Sequence, residues 1–220
     1  MEKLAFDIHG LSVRVQTDFP AFADYVRDNL SLFSTQLRQE PDMDVVFASQ
    51  TDPLRELSEG GATRIGRGLW IGQDSVLVDR RGLQIRTHMA PGGPLRIEAR
   101  YVAPRPRRGV VSSLLGLVRK NRSRSPREIS HYVAREIVHL PIFMLLAERR
   151  GLAVLHASSV AREGRALVFT GLNSCGKSSL AAYLSISKGW FKMNDNFTIT
   201  DGSRILAYPC LLYTSPSPRD

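Results

Sequence analysis

The chain is poor in the residues that build secreted or metal-clustered proteins. It holds two cysteines in 220 residues, too few for a disulfide framework. Its first half shows no pair of carboxylates, no Ser/His/Asp set and no Cys/His cluster with ligand spacing. No apolar run approaches the roughly 18 residues of a membrane span. The N-terminus, Met1-Glu2-Lys3-Leu4, puts an acid where a signal peptide needs basic and apolar regions. These absences predict a cytoplasmic protein without a membrane span. What remains, 43% hydrophobic and 23% charged residues, is the composition of an ordinary globular protein with room for one large domain or two small ones.

The net charge of +9 is a local property. Pro104 to Arg127 carries eight basic residues and no acid, and without it the chain is close to neutral. This stretch reads as a linker or solvated loop, or as a basic patch for an acidic partner, nucleic acid or a membrane surface. It has no interleaved aromatics for base stacking, so nucleic acid is not an expected partner. Homo-oligomerisation is left open.

The first hundred residues read as an α+β domain, residues 1–103. Leu4, Phe6 and Ile8 alternate, as do Leu11, Val13 and Val15, with His9-Gly10 as the turn of a hairpin. Asp18 and Pro20 signal a helix start. Phe22, Val26, Leu30, Phe33 and Leu37 then follow at helical spacing. A strand is predicted over 44–48 and a polar loop over 49–63. Four short strands come next, 69–71, 75–79, 83–87 and 95–101, in an antiparallel sheet with one wet face. After the basic segment 104–127, a helix is predicted over 128–150 and kinked or divided by Pro141, with Tyr132, Val138, Ile142, Phe143 and Leu146 toward a core. His131 and His139 read as ordinary helix residues.

Chemistry enters in the last third. Ala166 to Phe169 reads as a buried strand, followed by Gly171-Leu-Asn-Ser-Cys-Gly-Lys-Ser178 and then by Leu180, Ala181, Ala182 and Leu184 as the apolar face of a helix. This is G-x-x-x-x-G-K-[ST] in strand–loop–helix context, the phosphate-binding P-loop. Its backbone N–H groups converge on phosphate oxygens beside a helix N-terminus. The candidate phosphate-binding residues are Gly171, Asn173, Ser174, Cys175, Gly176, Lys177, Ser178 and Ser179. Lys177 would reach the terminal phosphates and Ser178 would help hold Mg²⁺. His156 lies on an upstream strand, Ala153 to Val160, joined to the P-loop strand by a turn at 162–164. A lone strand histidine is more often structural than catalytic. A further strand, 189–193, leads to Asn194-Asp195-Asn196. That triplet reads equally as a β-turn and as the place of a carboxylate facing Mg²⁺.

Taken together, Gly151-Leu-Ala-Val-Leu-His156-Ala-Ser, the P-loop and Met193-Asn-Asp195-Asn resemble the catalytic domain of HPr kinase/phosphorylase and its kinase-like relatives, over residues 128–209. The resemblance implies an α/β P-loop kinase-like domain with a nucleotide fold shared with phosphoenolpyruvate carboxykinase, incomplete here. It implies ATP and Mg²⁺ as ligands and transfer of phosphate to a protein or peptide hydroxyl. On the same resemblance, His156 lies near the transferred phosphate, and Asp195 serves as base toward the acceptor and as metal neighbour with Ser178. Asn196 departs from the family's second Asp, which puts transfer in question. The alternative is a nucleotide-binding accessory protein of a peptide-modification pathway, without transfer. The N-terminal half does not resemble that of true HPr kinases, so HPr is not the expected acceptor.

Cys210 to Asp220 reads as translated sequencing adapter, since a transposase adapter string encodes these eleven residues codon for codon. On that reading the native sequence stops near Pro209, the sheet is left with an open edge, and the 220-residue product is not expected to work as an enzyme.

Overall fold

The computed structural model describes residues 1–36, 40–48, 62–80, 82–90, 92–102 and 125–208. Leu37, nearly all of the polar loop 49–63, most of the basic segment 104–127 and the stretch 210–220 fall outside the described residues. The architecture is mixed α/β with a large mixed sheet. The chain divides into two compact units, Met1–Ile142 and Phe143–Asp220, within the helix that begins at Leu140.

In the first unit, β1 (Glu2–Ile8) and β2 (Leu11–Thr17) form the expected hairpin. His9 and Gly10 both take positive φ, 53° and 81°, as a two-residue turn requires, and Asp7 accepts from the Gly10 N–H at 2.8 Å. Helix α1 (Pro20–Leu30) then carries the chain across to β3 (Met43–Ala48), which pairs parallel with β2; a parallel pair needs such a crossover. The helix is shorter than the spacing predicts. It starts after Phe19 rather than Asp18, and gives way to a tight 3₁₀ turn at Ser31–Phe33 that ends in extended Ser34. Phe22, Ala23, Val26 and Leu30 are buried, with the Phe22 ring tilted against Phe47 at a centroid distance of 4.7 Å, while Phe33 is half-buried.

The segments after residue 62 form β4 (Thr63–Gly66), β5 (Leu69–Ile71), β6 (Ser75–Arg80), β7 (Leu83–Met89) and β8 (Leu95–Tyr101), antiparallel as predicted, with β4 an addition. They do not stand apart from the N-terminal strands. β8 pairs parallel with β3 and joins everything into one eight-stranded sheet, β1-β2-β3-β8-β7-β6-β5-β4. Strict alternation in β2, β3 and β8 buries Val13, Val15, Val45, Phe47, Ile97 and Ala99 and leaves Arg14 and Asp44 on the opposite face, paired at 2.9 Å. Period-two patterning cannot separate antiparallel from parallel neighbours when only one face is buried, so the merger was not legible.

Helix α2 (Pro126–Ala134) begins two residues before the predicted start, at a capping box in which Ser125 and Glu128 satisfy each other's backbone N–H groups. It packs beside α1, where the Tyr25 hydroxyl meets His131 Nδ1 at 2.8 Å. Tyr132, predicted toward the core, is half-buried and donates to the Arg80 carbonyl at 3.3 Å. Pro141 does not break the helix. A π-turn at Arg135–His139 precedes it, with the Leu140 N–H bonded to the Arg135 carbonyl five residues back, and α3 (Leu140–Arg150) follows. Widening the spiral here relieves the clash a proline ring makes with the carbonyl four residues earlier. By length and composition Pro126–Arg150 could cross a membrane, but 61% of its apolar window is buried inside the protein, as in a core helix.

The second unit has two small sheets. Strands β10 (Ala157–Arg162), β11 (Arg165–Thr170) and β12 (Phe191–Asn194) form one in the order β11-β10-β12. Strands β9 (Ala153–Leu155), β13 (Thr198–Thr200) and β14 (Ile205–Leu206) form the other in the order β14-β13-β9. Helix α4 (Lys177–Lys188) connects β11 to β12. Phe143, Phe197 and Tyr208 cluster at centroid distances of 4.8 and 4.9 Å and anchor the segment after β12.

Two expectations fail here. The single strand over 153–160 is broken at His156, because β9 and β10 belong to different sheets. Strand β11, expected to lead into a P-loop, is not buried: it lies at the edge of its sheet, with Leu167 41% and Val168 38% exposed. An apolar run reports that a strand wants covering, not that the described residues cover it. For the same reason Leu180 of α4 is exposed while its neighbour Ala181 is buried.

Candidate functional site

The site lies where two strands leave one small sheet for the other. Ser159 pairs with Asn194 in the first sheet and Leu155 with Thr198 in the second. Between these pairs the backbone segments 156–158 and 195–197 part, and the side chains that matter occupy the parting. A bulge helps aim them. Ser159 pairs with Asn194 but Val160 with Lys192, so Met193 is the extra residue that bends β12 just before Asp195. Asn194 is buried and pinned from two sides: it donates to the Leu206 carbonyl at 3.2 Å and accepts from the Tyr208 N–H at 2.9 Å. Asn196 takes φ 72°, so the triplet is a turn and also presents an acid.

Asp195 is buried, 2% exposed, and both of its oxygens are engaged. Oδ1 accepts from the hydroxyls of Ser158 and Ser178, each at 2.6 Å, and Oδ2 accepts from Lys192 Nζ at 3.0 Å. Burial opposes ionisation, but the donated bonds from Ser158, Ser178 and Lys192 together outweigh it and hold the carboxyl below its usual range. Asp195 is therefore an ionised, oxygen-presenting group at neutral pH.

The loop between β11 and α4 has the backbone its sequence calls for. Gly171 sits at φ 146°, which only glycine adopts readily, and a Cβ there would lie 2.9 Å from Cys175 Sγ. Ser174 and Gly176 are both left-handed, at φ 62° and 92°, one residue apart. Alternation of this kind turns successive N–H groups toward one point, next to a helix start whose first N–H groups have no intrahelical acceptor. Lys177 folds back over the loop and donates to the carbonyls of Gly171 and Leu172, both at 2.9 Å. Cys175 and Ser179 are exposed.

His156 ties the two halves together. Its Nδ1 lies 2.9 Å from the Asn196 carbonyl oxygen, and its Nε2 lies 3.1 Å from Asn173 Oδ1 in the loop. The structure thus brings His156, Asn173, Ser178 and Asp195 into one connected group, with Lys177 in the adjoining loop. It also adds Ser158 and Lys192, which the sequence reading missed. Ser158 lies two residues beyond His156 in β10, where a small polar residue in an apolar run carries only a weak signal. Lys192 carries none, because the bulge at Met193 decides which way it faces.

Ser178 and Asp195 offer a hydroxyl and a carboxylate side by side, hard oxygen donors of the type Mg²⁺ takes. No group of three or more His, Cys, Asp or Glu that could hold a metal occurs among the described residues. A cation that shares its coordination with phosphate oxygens and water does not require one. Compared with known proteins, the chain matches no family model, no curated protein and no solved structure.

Proposed function

We propose that Phe143–Tyr208 forms an ATP·Mg²⁺ site of the HPr-kinase-like kind, in a protein that transfers the γ-phosphate to a protein or peptide hydroxyl. The observation that carries the reading is the junction of the phosphate loop with an ionised acid: Ser178, the residue after the P-loop lysine, donates to Asp195 at 2.6 Å. A chance glycine-rich turn has no reason to place its serine on a buried carboxylate two elements away.

Each residue has a task on this reading. The left-handed Ser174 and Gly176 turn loop N–H groups toward the phosphates. Lys177 exchanges the two loop carbonyls for phosphate oxygens. When bound, the Mg²⁺ ion neutralises phosphate charge. Ser178 and Asp195 would hold it. His156 keeps Asn173 and the Asp195 turn in register.

One observation favours binding without transfer. A general base works best with a pKa near the operating pH, and Asp195 is shifted the other way while its oxygens are occupied. Asn196 offers no second acid. The accessory-protein reading therefore stands as the alternative.

Calorimetry of ATP·Mg²⁺ against the wild type and Lys177→Ala tests the site. Saturable binding that falls by about a hundredfold in the mutant, the scale of a lost charge-assisted contact, is expected. No binding by the folded wild type would overturn it. Labelled ATP incubated with candidate acceptors, with Asp195→Asn as control, then separates transfer from binding alone.

A further inference from the structure

The cation on Asp195 is not accounted for by the P-loop chemistry. Lys192 reaches Oδ2 at 3.0 Å from three residues upstream, with its side chain 25% exposed against 2% for Asp195. A buried carboxylate needs a partner, and here the Lys192 side chain supplies it before any ligand arrives. Asp195 and Lys192 sum to no net charge, Asn196 adds none, and the adjoining loop contributes Lys177. A neutral acid–ammonium pair is a poor trap for a free divalent ion. Two ammonium groups about one phosphate loop attract a polyphosphate directly.

We infer that Lys192 is a built-in counter-cation, which makes this a nucleotide site where divalent metal is dispensable for binding the triphosphate. The inference rests on the nucleotide reading of the same loop. Lys192 takes the Asp195 oxygen that a metal would otherwise use, and its ammonium, partly open to solvent, can swing from carboxylate to phosphate over the length of a flexible stem. Ser158 makes that swing tolerable, because its hydroxyl and that of Ser178 remain on Oδ1 when Oδ2 is released.

The test measures ATP affinity in excess EDTA and in excess Mg²⁺ for the wild type, Lys192→Met and Lys192→Arg, with a thermal melt of each. The wild type and Lys192→Arg should bind ATP in EDTA within about threefold of their Mg²⁺ affinity. Lys192→Met should lose about tenfold or more in EDTA, as expected for one lost charge-assisted contact, and regain it with Mg²⁺. Manganese without nucleotide, followed by its electron paramagnetic signal, should not bind the wild type. Wild-type affinity that collapses in EDTA, or free Mn²⁺ bound tightly by the wild type, would overturn the inference while leaving the nucleotide site intact. If the wild type binds ATP in neither condition, the nucleotide reading itself falls and this inference with it. The wild-type arms decide the matter even if Lys192→Met does not fold.

Discussion

Asp195 shows how much one side chain is held by its neighbours. Three donors converge on it, two of them serines from different elements. That arrangement fixes its charge state and its rotamer at once, and explains how the acid of a surface-type Asn-Asp-Asn turn stays buried here. A second residue with a fixed charge state lies outside the site. His139 is fully buried, and burial, followed by the charge of His131, pushes its pKa from 6.5 down to about 3. The folded state therefore excludes a proton that the unfolded chain accepts near pH 6.5. The contribution is complete above pH 6.5 and is lost as pH falls toward 3, by at most about 1.4 kcal/mol per pH unit. Urea midpoints at pH 7 and pH 5 check this. The wild type should lose about 2 kcal/mol more between them than His139→Leu does. Parallel losses would show that His139 titrates normally.

At the scale of elements, the hairpin β10–β11 carries the site and also a small strain. Its two-residue turn has Glu163 at φ 50° and Gly164 at φ 74°. The primed turn wants Asn or Asp before Gly, and a glutamate there costs energy that its exposed contact with Arg162 does not return. Glu163→Asn should stabilise the protein by about 0.5–1 kcal/mol, a rise of about 1–4 °C in melting temperature, without altering ATP affinity. An unchanged or lower melting temperature would show that the turn is not strained. The same hairpin marks the limit of what could be read in the chain. The Gly171 to Ser178 spacing located the loop, the lysine and the helix, because each glycine has a backbone reason to be there. Strand ends were legible from turn residues such as His9-Gly10. The break at His156 was not, since Ala153 to Val160 carries no glycine, proline or other turn signal and sheet membership depends on partners distant in sequence. Nor was the exposure of β11, because Val168 and Leu167 look the same in a core and on an edge. The π-turn before Pro141 was foreseen only as a kink or a division, as sequence gives the clash but not how the backbone absorbs it.

At the scale of the molecule, two units divide the labour differently. Met1–Ile142 holds its core around one alternating sheet and α1, and offers no constellation of reactive groups among its described residues. Phe143–Asp220 has a thinner core, organised around Phe143, Phe197 and Tyr208, and holds the Gly171–Ser178 loop, Asp195, Lys177 and Lys192. Backbone amide NMR of the 24.5 kDa chain during titration with ATP, with and without Mg²⁺, decides whether the second unit binds nucleotide. The largest shifts are expected at Asn173 to Ser179, with further saturable shifts at His156 and from Lys192 to Asn196. Absence of shifts at saturating nucleotide, or shifts that spare this loop and gather in Met1–Ile142, would contradict that binding.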